Sequence, residues 1–181
     1  MPPIALRYYS VQISIAFALG LLFAIPVGGM FFHEMGHFIA CRIFGLEVIS
    51  VTVTQVIHVQ SENPSVNVAV GFAGGLAQAL FCFVFALITG LLSTSPLRSS
   101  GRLEDRLETW SWSIGFESAF LTIGFTGLVM AFWEGLFADS YGYFAGNIIV
   151  WVVITLFVGL LAFWIAYKAF PPPTGNVHPR R

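Results

Sequence analysis

The chain has 181 residues, of which 57% are hydrophobic and 9% charged, with 8 Lys+Arg against 9 Asp+Glu and a net charge of −1. An ordinary soluble domain is about 25% charged, so this composition argues against a water-soluble fold, and the lack of a basic block argues against a nucleic-acid partner. The two cysteines, Cys41 and Cys82, lie in apolar stretches and supply neither a disulfide framework nor a CxxC metal pair.

Arg7, Tyr8 and Tyr9 stand at the head of the first apolar run, where a cation and aromatic rings suit a membrane interface. The uncharged run Val11–Phe32 exceeds the roughly 20 residues needed to cross a hydrocarbon core. It is also longer than the core of a signal peptide, and is read as retained. The helical pattern continues through His33-Glu34-Met35-Gly36-His37 to Arg42 and Gly45, with Pro26, Gly28 and Gly29 as kink or close-packing positions. At 1.5 Å per residue the histidines lie on the order of 10 Å inside the interface that Arg42 reaches.

From Val48 to Gln60 the residues alternate: Ile49, Val51, Val53, Ile57 and Val59 form one face, and Ser50, Thr52, Thr54, His58 and Gln60 the other. This period of two predicts one strand or two, which at membrane depth must be shielded or line a wet cavity. Ser61-Glu62-Asn63-Pro64 reads as a turn. A second span is expected over Val66–Leu92, and Ser93–Thr109 as a charged surface helix or loop. A third span follows over Ile114–Phe137, whose charges are Glu117 and Glu134, and a fourth over Gly142–Tyr167.

The expected fold is an all-α integral membrane protein with about four transmembrane helices and a short membrane-associated β segment between helices 1 and 2. It forms a single polytopic unit over residues 1–170, and the tail from Pro171 to Arg181 is expected to be disordered. Arg7, Arg98, Arg102, Arg106, Lys168, Arg180 and Arg181 would share one side of the membrane, against Arg42 on the other. The positive-inside rule then places both termini in the cytoplasm, and the chain is expected to be a multi-pass protein of the cell membrane.

The chemistry concentrates in HExxH. His33 and His37 are four residues apart on one helical face, the separation at which two imidazoles grip one Zn2+ ion. Glu34 is next round the helix from the first ligand, able to touch a water at the metal without being a ligand. The ion lowers the pKa of that water towards about 7, and Glu34 can accept its proton. Three ionisable groups within five residues of a spanning helix are costly unless they bind something. A catalytic zinc site needs a third protein ligand, for which Glu117, Glu134, Asp139 and His58 are candidates. Asp139 also fits as an interfacial turn residue or helix N-cap, Glu117 as a carboxyl near the interface, and His58 as part of the strand's polar face.

HEMGH in the first span, a β segment after it, and Ala73-Gly74-Gly75-Leu76-Ala77-Gln78 in the next helix together resemble the site-2 protease family of intramembrane zinc metalloproteases. The resemblance covers Val11 to about Gly142. Gly36 stands at the glycine of the family's HExGH. Gly75 and Gln78 stand where the family's Gly-Pro-x-x-Asn has its proline and asparagine. The resemblance implies that Gln78 binds substrate backbone or oxyanion, and that the third ligand is an aspartate, here Asp139, with Glu134 as the alternative in a His₂Glu site. It implies a transmembrane protein substrate that unwinds locally and pairs with the strand around Ile49–Val59, near Thr54 and His58. Family members open the zinc site towards the cytosol, the opposite of what the charge count gives. The expected activity is therefore a zinc-dependent metalloendopeptidase acting in or beside a transmembrane segment, with the lipid bilayer and membrane-complex partners around it. Two other classes fit the same composition: a catalytically silent membrane scaffold or accessory subunit, and an ion or proton carrier using Glu117 and Glu134 as a relay.

Overall fold

The computed structural model describes residues 3–94, 103–137 and 148–173, and they are mostly helical. Helix α1 (Pro3–Ala24) runs into a π-helical segment (Ile25–Phe32), which leads into α2 (His33–Ile43). Strands β1 (Val48–Val51) and β2 (Val56–His58) precede the long helices α3 (Pro64–Thr94) and α4 (Leu103–Leu136) and the helix α5 (Ile148–Ala169). Three helical stretches, Tyr9–Ile43, Pro64–Leu92 and Leu103–Leu136, are long and apolar enough to cross a membrane. The fourth expected span corresponds to α5, whose described apolar part is Val153–Ala169.

The break between α1 and α2 follows from Pro26, which has no N–H to give to the preceding turn. The backbone widens into π geometry there, a feature that often adjoins functional sites. Gly28, expected at a close-packing position, is buried in this segment: a Cβ placed on it would lie 2.5 Å from Cys82 Sγ on α3. Phe32 stacks on Phe81 of α3 with ring centroids 3.9 Å apart, which fixes the rotation at which α2 begins. Helix α2 ends in a Schellman motif. Leu46 N–H donates to Cys41 O at 2.8 Å, and Gly45 takes the left-handed φ of 69° that such a cap requires.

The alternating stretch is two strands, one of the two readings open in the sequence. β1 and β2 pair antiparallel, with Val48 opposite His58 and Val51 opposite Val56. The intervening turn closes through Thr52 N–H to Gln55 O at 2.8 Å and Thr52 Oγ1 to the same carbonyl at 3.1 Å. Asn63 Oδ1 then accepts from Ser65 N–H at 3.0 Å, so Asn63 caps α3 and Pro64 opens it.

The charged connector is a correction. Leu103 to Thr109, expected in a surface segment, are the opening turns of α4, where Glu104 and Asp105 complement the positive end of the helix dipole. Glu117, expected as a carboxyl near the interface, lies well along α4. It is 3% exposed in the interior of α4.

The helices pack closely on small residues, which let their backbones approach. Gly36 brings α2 onto α3 so closely that an added Cβ would overlap Ala73 O and stand 2.7 Å from Ala77 Cβ. Among the described residues, Ala24, Cys82, Ala86, Phe120 and Ile123 form a buried apolar cluster between α1, α3 and α4. Buried polar groups tie the other faces. Ser111 Oγ donates to Gln12 Oε1 at 2.6 Å between α4 and α1, and Trp110 Nε1 to Phe170 O at 2.8 Å beyond the end of α5.

Candidate metal centre

The side chains of HExxH point from the start of α2 towards the end of α4. His33 Nε2 and His37 Nε2 are 3.1 Å apart. His33 Nε2 is 3.2 Å from both Glu134 Oε1 and Glu134 Oε2, and His37 Nε2 is 3.3 Å from Oε2. Glu134 reaches this point because α3 and α4 touch at Gly71, where a Cβ would meet the Glu134 carbonyl oxygen at 2.5 Å. Gly74 clears room for the ring of His37, which an added Cβ would overlap.

The other edge of each imidazole is held. His33 Nδ1 is 3.0 Å from Gln78 Oε1, and His37 Nδ1 is 2.8 Å from Val70 O. The Gln78 amide is oriented by its own Nε2, which donates to Ile123 O at 2.8 Å, so its oxygen faces His33. Both Nδ1 atoms therefore face acceptors and carry the proton in the neutral rings, and both Nε2 lone pairs face the carboxylate. This is the arrangement by which outer partners set the tautomer of metal-ligating histidines.

The three groups fit a metal ion on two grounds. Four ligands about 2.0–2.1 Å from a tetrahedral ion are about 3.3 Å from one another, which is the spacing seen here. Glu134 Oε2 is also buried with no hydrogen-bond partner, so the converging lone pairs suit a cation. His33, His37 and Glu134 thus form a group able to hold a metal ion, with their donor atoms within 4.8 Å of one another.

Of the four candidates for third ligand, Glu134 stands in this group and Asp139 lies outside the described residues. Glu117 is 17 residues earlier on α4, about 25 Å along its axis. His58 does not converge with the group. Instead it lines a cavity of about 380 Å³ beside it, together with Glu34, His37, Thr54 and Glu134. Thr54 and His58, expected near a substrate, thus share a cavity with the motif. Gln78, expected at the same place, is 2% exposed and contacts His33. A buried amide in an apolar span signals such a role, whereas the Val70 carbonyl, like any backbone acceptor, leaves no mark in the sequence. Gln60 and Asn67 also line the cavity and were not singled out from the sequence.

The Gln78 contact has a measurable consequence. Gln78→Ala is expected to weaken metal affinity by about 10–100-fold, the usual cost of losing an outer partner of a ligating histidine. Competition with a chromogenic chelator measures it, and parent-like affinity would show that the ring holds its orientation without the amide. Comparisons of the chain with protein-family models, with curated proteins and with solved structures return no match.

Proposed function

We propose that the chain is an intramembrane zinc metalloprotease of the site-2 protease type, which hydrolyses a peptide bond in or near a transmembrane segment of a membrane-protein substrate. The observation that carries this reading is the convergence of His33, His37 and Glu134 beside a cavity that Glu34 also lines. His₂Glu is a donor set of catalytic zinc, which keeps a fourth position open. Three long apolar helices support residence in a cell membrane, with α5 as a fourth span. So do their outward faces, where Leu22 and Leu160 are 73% and 74% exposed.

In this mechanism His33, His37 and Glu134 would hold the zinc, which when bound would supply Lewis acidity towards a water and the scissile carbonyl. Gln78 and the Val70 carbonyl keep both imidazoles aimed. The β1–β2 hairpin walls the cavity and offers an extended substrate segment a partner for its backbone. Glu34 takes the proton of the attacking water as its oxygen bonds to the carbonyl carbon. The cavity also supplies the water that a hydrolase inside apolar surroundings needs: Thr54, His58, Gln60 and Asn67 give it a wettable lining.

Metal removal tests the reading. The protein is co-reconstituted with a single-pass reporter, a Leu/Ala helix interrupted by one Asn-Pro pair near its hairpin-side end and fused to a fluorescent protein. A strong chelator is expected to abolish cleavage, and one equivalent of zinc to restore it. Cleavage that survives complete zinc removal would refute the mechanism, and a zinc-loaded chain that leaves the reporter intact would favour the scaffold.

A further inference from the structure

From the strand that lines the cavity beside the HExxH helix we infer that His58 is a further catalytic residue, the proton donor to the leaving nitrogen in the hydrolysis proposed above. The inference rests on that reading and adds a role it leaves unfilled. Residues Thr54, Val56, His58 and Gln60 are the alternate positions of one strand and its flanks, and all four line the cavity. That period-two stripe is the face β2 turns towards the motif. His58 is the one member of that stripe whose side chain can act as a general acid.

The ring is also oriented. His58 Nδ1 donates to Val59 O at 3.0 Å, which leaves Nε2 as the edge available to a bound peptide. The ionisable groups facing the same cavity are Glu34 and His37 from α2 and Glu134 from α4, while α3 contributes the neutral Asn67. His37 and Glu134 are committed to the metal group, which leaves Glu34 of α2 and His58 of β2 as two proton-handling groups lining one cavity. Hydrolysis needs both kinds. Water oxygen bonds to the carbonyl carbon as its proton passes to Glu34. The C–N bond then breaks with its electron pair on nitrogen, which takes the proton of the His58 imidazolium at Nε2 and leaves as an amine. The carboxylic acid formed loses its proton to solvent, and the proton on Glu34 recharges His58 for the next turnover.

The test uses the full-length zinc-loaded protein, the reporter described above, and the variants H58A, H58Q and E34Q. H58A and H58Q are expected to keep parent zinc content and a KM within about threefold, with kcat about 100-fold lower. The limb of the pH–rate profile that reports a required protonated group should vanish in both. Added imidazole should partly restore H58A and leave E34Q inactive, a rescue that a merely structural histidine would not allow. Parent-like kcat and pH profile in H58A would overturn the assignment and leave the proposed protease standing. Loss of zinc in both His58 variants would overturn it too, by making His58 a ligand. A zinc-loaded parent that leaves the reporter uncut would overturn the proposed proteolysis and the role of His58 together.

Discussion

Replacing Glu134 with alanine is expected to eliminate stoichiometric zinc from the purified chain, whereas Asp139→Ala is expected to retain it. The two acids are five residues apart and both suit a hard cation by type, so the sequence leaves them as alternatives. Geometry separates them on one side: Glu134 has both carboxylate oxygens 3.2 Å from His33 Nε2 and one 3.3 Å from His37 Nε2. Losing it removes a charged donor and leaves two neutral imidazoles, so the affinity loss should exceed the 10–100-fold that an outer partner costs. Element analysis of both variants, with His33→Ala as the metal-free control, decides the matter. Retention of zinc by Glu134→Ala together with its loss from Asp139→Ala would assign the third ligand to Asp139.

Much of this architecture is legible in the sequence because its physical signals are local. Uncharged runs mark the long helices, period-two alternation marks the hairpin, and the i, i+4 histidines mark one helical face. The turn at Thr52–Gln55 is less legible. Its residues continue the alternation, so only the backbone bond to Gln55 O divides the stretch into two strands. The start of α4 is hidden for a related reason. Charged residues read as a connector, yet Glu104 and Asp105 are also good first-turn residues, and nothing after Leu103 forces a helix to wait for the apolar run.

The partners of the motif are a different matter. Glu134 and His33 are 101 residues apart, and what unites them is the contact of α3 with α4 at Gly71, a property of packing that no periodicity announces. The packing of α3 on α2 explains the placement of Gln78. It lies in α3 one helical turn beyond Gly74, the residue that makes room for His37, so a side chain there meets His33 on the neighbouring turn of α2. The motif resemblance assigned Gln78 to substrate from its position in a pattern. Its buried location and its bonds to His33 and Ile123 O supply a local task that is independent of any substrate.

Glu34→Gln carries the second large effect and separates an enzyme from a metal-holding scaffold. Glu34 lines the cavity but stands outside the converging donor group, so the substitution should leave zinc content and folding as in the parent. Glutamine keeps nearly the same volume and can still hydrogen-bond a water, yet its amide cannot accept the proton that the attacking water must release. Cleavage of the single-pass reporter is therefore expected to fall by at least about 100-fold, with little change in KM, because proton acceptance is required in the transition state rather than in binding. Unchanged cleavage in this variant would remove Glu34 from the mechanism. Loss of zinc in it would instead make Glu34 a ligand. That outcome would require a different arrangement of α2 against α4, since on the present one the donors of His33, His37 and Glu134 already stand at ligand spacing.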